Sequence, residues 1–196
     1  IDEQGKLTPD LRQKIESTWD ATELEDLYLP YKRKRKTRAS VARERGLEPL
    51  AEVLKKQQAT QLEPIARDYL SDEVPSVDDA LQGARDIIAE EVNENKQARD
   101  KVRHAFKRYA VVKAKVARGK DEEGAKYKDY FDYEEPLKKI PSHRLLAIRR
   151  GEEEGILRVS ISPEEEQTVY QLERFFVTNN TPAAEQVKLA VQDSYK

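Results

Sequence analysis

The side chains able to do chemistry in this 196-residue chain are few in kind and many in number. Six cations fall within seven residues at Lys32, Arg33, Lys34, Arg35, Lys36 and Arg38, broken only by Thr37. Closely spaced cations can reach successive phosphates and release condensed counterions, a gain independent of base identity. The arginines among them, Arg33, Arg35 and Arg38, can bind phosphate in bidentate fashion. The competing reading of this run is a solvated turn, or a partner for acids elsewhere in the chain. A second basic stretch, Lys101 to Lys120, holds eight bases and no acid, and here pairing within the chain is the preferred reading. Tyr127, Tyr130, Phe131 and Tyr133 could stack bases, but aromatics in a sparse core more often pack.

Catalytic constellations are missing. Without cysteine there is no disulfide, thiol nucleophile or Cys-ligated metal, and two histidines, His104 and His143, have no ligand or carboxylate spaced to help them. No phosphate loop of the GxGxxG or GxxxxGK[ST] type occurs; Gly151 to Gly155 encloses three glutamates where a phosphate would sit. A general acid/base pair needs sheltered carboxylates, and nothing singles out two of the 38 acids. The chain therefore reads as no enzyme, with no cofactor and no metal.

Composition fits a polar but folded chain. Charged residues make up 38% and the net charge is −2, so any electrostatic partner must be addressed locally. Asp72 to Glu94 holds eight acids and one base, immediately before the second basic stretch, so acidic and basic blocks alternate. No apolar run is long enough to cross a membrane and no signal peptide opens the chain; a soluble cytoplasmic segment of a larger protein is expected, without a membrane partner.

The elements that would position these groups are mostly helices. Thr8-Pro9 opens one with Leu11, Ile15 and Trp19 on one face; Thr22 starts another with Leu24, Leu27 and Tyr28 as its buried stripe, stopped at Leu29-Pro30 where the basic run begins. Ala39 to Arg45, closed by Gly46, followed by Leu47 to Gln57, makes a helix, tight turn, helix arrangement of helix-turn-helix type. Ser76 caps the clearest helix, carrying Val77, Leu81, Ala84, Ile88 and Val92, and Asn95 restarts another through Tyr109. Residues 111–116 read as a continuation of that helix or as a strand, and helix is preferred; Gly155 to Ile161 alternates as a strand without an evident partner. Ser142 opens a helix ending at Gly151, and helices over 163–177 and 181–195 complete the chain. The expected fold is mainly α, multi-helical, with helix-turn-helix-like elements and at most one short β-strand pair. The expected division is a helical region over 1–110 and a helical central region over 111–196 with its short strand near 156–161.

Three stretches go further. Thr22 to Lys32 (TELEDLYLPYK), continuing through 36–39 (KTRA) and 45–51 (RGLEPLA), resembles a signature of the bacterial Tex family of transcription accessory proteins. So do 119–132 (GKDEEGAKYKDYFD) and 141–155 (PSHRLLAIRRGEEEG). The resemblance implies a cytoplasmic nucleic-acid-binding protein, RNA in preference to DNA, related to a eukaryotic elongation factor and acting with the transcription machinery and with other domains of its own chain. It places this segment before a nuclease-like YqgF domain; neither that domain, nor helix-hairpin-helix elements, nor an OB-fold RNA-binding domain is recognisable here. No catalytic residue is carried over. The expected function is a non-catalytic helical module that contacts phosphate backbone or supports RNA-binding domains outside the chain, the alternative being a scaffold that docks polymerase or other domains without touching nucleic acid.

Overall fold

The computed structural model describes residues 1–32 and 35–196. The chain forms two compact units, Ile1–Arg99 with Glu173–Lys196, and Asp100–Leu172.

The first unit is helical: α1 (Pro9–Ser17), α2 (Ala21–Tyr28), α3 (Arg38–Glu44), α4 (Glu48–Lys55), α5 (Leu62–Arg67), α6 (Val77–Glu94), the start of α7 (Lys96–Tyr109), the end of α9 (Glu165–Phe176) and α10 (Pro182–Tyr195). At its centre lies α6, packed against α3, α4, α5 and α10. Ser76 caps it by accepting from Asp79 N, and Ala80, Gly83, Ala84, Ile87 and Ile88 are buried along it. A Cβ on Gly83 would overlap Leu47 Cδ1, so the missing side chain is what lets the α3–α4 turn approach. That turn has the Schellman geometry: Gly46 is left-handed (φ 77°), its N–H reaches Arg43 O, and Leu47 N reaches Ala42 O. Leu47, Leu50 and Leu54 are then fully buried, each contributing about 1.5–3 kcal/mol.

After α4 the chain is locked by one residue. Gln57 is buried with φ 55°. Its Nε2 donates to Phe176 O at 2.7 Å and its Oε1 accepts from Thr178 N at 2.8 Å, while its carbonyl accepts from Asn179 Nδ2 and Thr181 Oγ1. Thr181 in turn caps α10, whose Ala183, Ala184, Val187, Ala190 and Val191 are buried. In α2, by contrast, the buried residue is Asp26, ion-paired with Arg99 at 2.7 Å; Nε and Nη1 of Arg99 find no partner among the described residues.

The second unit carries a three-stranded antiparallel sheet in the order β2-β1-β3, from β1 (Val111–Val116), β2 (Asp132–Pro136) and β3 (Leu157–Ser162). Between β2 and β3 lies α8 (Ser142–Glu153). Val112 and Ala114 of β1 point into a core with Tyr127, Ile148, Ile156 and Leu157, against which Tyr130, Phe131 and Tyr133 pack.

Several expectations are corrected. Residues 111–116 form the central strand, not a helix, because Val112, Ala114 and Val116 alternate with lysines and supply the partner that β3 lacked. The sheet has three strands rather than one pair, since Asp132–Pro136 adds a short polar strand whose one-in, one-out burial is masked in the sequence by its charges. The mainly α class holds. Helix α8 runs past Gly151 to Glu153; a Cβ on Gly151 would lie 2.6 Å from Leu157 Cδ1, so this glycine serves close packing, and Gly155 (φ 70°) makes the turn. Trp19 lies beyond the end of α1 and is 97% exposed, and Leu24 and Tyr28 are also exposed rather than buried.

Replacing Gln57 by alanine strands the Thr178 N–H and the Phe176 carbonyl, and the expected loss of stability is about 1–3 kcal/mol, read as a lower denaturation midpoint with unchanged slope.

Candidate nucleic-acid interface

The basic segment is fixed at both ends. Upstream, α2 tightens into a 3-10 turn over Leu29–Tyr31, with Lys32 N bonded to Tyr28 O at 3.1 Å and Gln4 Nε2 donating to Tyr31 O at 3.0 Å. Downstream, Thr37 is the N-cap of α3 in a reciprocal capping box: its Oγ1 accepts from Ser40 N at 3.1 Å and Ser40 Oγ accepts from Thr37 N at 2.8 Å.

Glu90 of α6 holds this end in place. One carboxylate oxygen accepts from Thr37 Oγ1 at 2.8 Å, and the other accepts from Arg43 Nη1 at 2.8 Å, so both ends of α3 are tied to a single side chain. Burial works against the charge on Arg43, but its hydrogen bond to Glu90 and the surrounding carboxylates outweigh that and hold the guanidinium above its ordinary value. Lys55 of α4 is in the same situation: burial opposes its charge, and hydrogen bonds to Glu52 and Glu91 raise it. These two cations are occupied in holding helices together.

The expected phosphate contacts behave differently. Lys32, Arg35, Lys36 and Arg38 are all exposed, and their side chains form no ion pair among the described residues. Arg33 and Lys34, expected to act with them, lie outside the described residues. Lys32 and Arg35 line an open concavity of about 600 Å³ with Leu29, Thr37, Glu90, Asn93 and Glu94. Lys36, Arg38 and Arg45 line another of about 360 Å³ with Glu73, Asp79 and Asp86 among its other walls. Both hollows are lined by charges of both signs, Glu90 and Glu94 in the first and Glu73, Asp79 and Asp86 in the second, so an anion is favoured at the exposed cationic heads rather than within the hollows.

The second basic stretch includes cations paired with nearby acids: Arg103 with Asp100 at 3.2 Å, Lys113 with Glu134 at 3.5 Å across the sheet, and Lys120 with Glu123 at 2.5 Å. Of the aromatic cluster, Tyr127 is buried in the core and donates its hydroxyl to Glu154 Oε1 at 2.9 Å. His104 and His143 are exposed. Among the described residues, no group of three His, Cys, Asp or Glu side chains could hold a metal ion, and no helix is long and apolar enough to cross a membrane.

Thr37 and Glu90 are the positioning residues that sequence reasoning misses. Thr37 followed by Ser40 is a weak capping signal because serine is the less usual partner at the third helical position. Glu90 sits in a block of acids 53 residues away from Thr37 and nothing in its spacing marks it.

A family model described as Tex central region-like matches residues 57–193 of the chain. The chain is 44% identical over 168 residues to the transcriptional accessory protein Tex of Neisseria gonorrhoeae, covering 86% of this chain and 22% of that protein. Protein YhgF of Escherichia coli K12 is 48% identical over 164 residues, 83% of this chain and 21% of its own length. The YdcI protein of Bacillus subtilis is 41% identical over 201 residues, all of this chain and 28% of its own length. The chain thus spans between a fifth and somewhat over a quarter of the length of these relatives. The basic segment lies outside the range matched by the family model, and the sheet of the second unit lies within it.

Substituting Glu90 by alanine frees Thr37 and leaves Arg43 without its closest partner; stability should fall by about 1–3 kcal/mol, and trypsin should cut the basic segment faster than in the parent chain.

Proposed function

Because the chain belongs to the Tex family, we propose that it is a non-catalytic module of a nucleic-acid-binding transcription accessory protein, and that its basic segment contacts phosphate backbone without reading bases. The single observation carrying this reading is the contrast within one unit between Arg43 and Lys55, each tied to acids of α6, and Lys32, Arg35, Lys36 and Arg38, which are exposed and form no ion pair among the described residues. A segment whose function was to pair with the acidic helix would place its cations as Arg43 and Lys55 are placed. Bringing four charges to a polyanion costs little when they start in water, and the released counterions favour the complex. The relative named as a transcriptional accessory protein supports a transcription context, and the cytoplasm is the proposed location. RNA is the proposed ligand ahead of DNA, with other domains of the same chain and the transcription machinery as further partners.

A second reading has its own observation. Trp19 in the α1–α2 connection and Leu24 and Tyr28 along α2 are exposed, side chains of the kind that dock another domain or a polymerase subunit. In that reading the chain is a scaffold and the basic segment touches no nucleic acid.

Replacing Lys32, Arg35, Lys36 and Arg38 together by glutamine separates the two. Binding of a fluorescent single-stranded RNA across a salt series should weaken, and the slope of log affinity against log salt should fall by about 0.7 for each phosphate that the variant no longer neutralises. Unchanged affinity and slope would remove the segment from the interface and favour the scaffold.

A further inference from the structure

The open face of the sheet in the second unit sets like charges side by side, an arrangement that stability alone does not favour. Residues alternate across β1 and β3, so Val112, Ala114, Leu157, Val159 and Ile161 face the core while Lys113, Lys115, Arg158 and Ser160 face solvent. The register sets Lys115 directly opposite Arg158 and Lys113 directly opposite Ser160. Directly opposed side chains on one face have Cβ atoms about 5 Å apart, and like charges at that separation destabilise the pair. Neither Lys115 nor Arg158 forms an ion pair among the described residues, although Asp132 is the neighbour of Lys115 on the β2 side. Lys113 pairs with Glu134 at 3.5 Å, with both side chains about half exposed, and such a pair is readily exchanged for another anion.

Charge is graded across the sheet. The acids Asp132 and Glu134 lie on the β2 edge, the lysines on the central strand, and Arg158 with Ser160 and Ser162 on the β3 edge. Lys113 and Lys115 are two residues apart on one strand, so their stems stand about 7 Å apart, comparable to neighbouring phosphates on an extended strand. None of the aromatic side chains of these three strands shares this face, since Tyr133 packs on the core side.

We propose that this face is a second binding site, for the phosphodiester backbone of a single nucleic-acid strand, held by Lys115 and Arg158 with Lys113 and Ser160 completing the contact. An anion seated between Lys115 and Arg158 turns their repulsion into two attractions. With charge and hydroxyl groups and no stacking surface, the site is indifferent to base. The proposal rests on the reading of the chain as a nucleic-acid-binding module, and is independent of the basic segment before α3.

The test uses the 196-residue chain with labelled oligo(U) and oligo(A), read by fluorescence anisotropy over a salt series, beside the glutamine variant of the basic segment. Lys115→Gln with Arg158→Gln should weaken both oligomers equally, by about three- to tenfold, and lower the salt slope by about 1.4. Arg158→Glu places opposite charges across β1 and β3; it should melt at or above the parent temperature and still bind more weakly, a combination that a merely structural arginine would not give. Unchanged affinity and slope in both sheet variants, while the parent chain binds, overturn this site and leave the proposed function standing. Binding of a poly-glutamate peptide that disappears in those variants, with the oligomers unaffected, overturns it in favour of an acidic protein partner. No binding by the parent chain overturns the function itself and this site with it.

Discussion

The close approach of helices around α6 is the constraint from which the first unit follows. Leu, Ile, Val and Phe together number only 44 of 196 residues, so the apolar side chains must be concentrated if they are to exclude water at all. Small residues on α6, Ala80, Gly83 and Ala84, bring α3, α4 and α10 close enough for Leu47, Leu50, Leu54, Ile87 and Val191 to be fully or almost fully buried. Gly83 is the tightest point, with Leu47 occupying the space its side chain would need. Once α3 is seated there, Glu90 lies within reach of both Thr37 and Arg43, and the basic segment is delivered to the surface from a fixed end.

The same arrangement sorts cations by role. Arg43 and Lys55 face α6 and are neutralised by it, whereas Lys32, Arg35, Lys36 and Arg38 precede or open α3 on its exposed side. Exposed ion pairs contribute little to stability, so a chain with 38% charged residues can leave some of them unpaired at small cost. In the second unit a sheet rather than a helix does the sorting, with apolar residues of β1 and β3 on one side and Lys113, Lys115 and Arg158 on the other.

Helices with strong caps are legible from the residues: Thr8-Pro9, Ser76 and Thr181 open α1, α6 and α10 as expected, and Gly46 closes α3. Position-specific chemistry makes them so, because a cap needs one side chain and its own neighbours. Residues 111–116 mislead because a helix and a strand both accept a short alternating run, and the deciding contacts with 132–136 and 157–162 are remote in sequence. Trp19 misleads because helical spacing continues past the residue where α1 stops. Gly151 resembles a helix end, and its close packing against Leu157 becomes visible only when the sheet is in place. Of the candidate interface, the cations can be read directly; Glu90, which fixes where they stand, cannot, because its partners are brought to it by the packing of α3 on α6.

The most direct test of the central claim is lysine acetylation footprinting of the chain with and without single-stranded RNA, quantified residue by residue by mass spectrometry. Protection of Lys32 and Lys36 on adding RNA, with Lys55 slow to react in either state because Glu52 and Glu91 hold it, is the predicted result. Equal reactivity of Lys32 and Lys36 at RNA concentrations that saturate binding would contradict it.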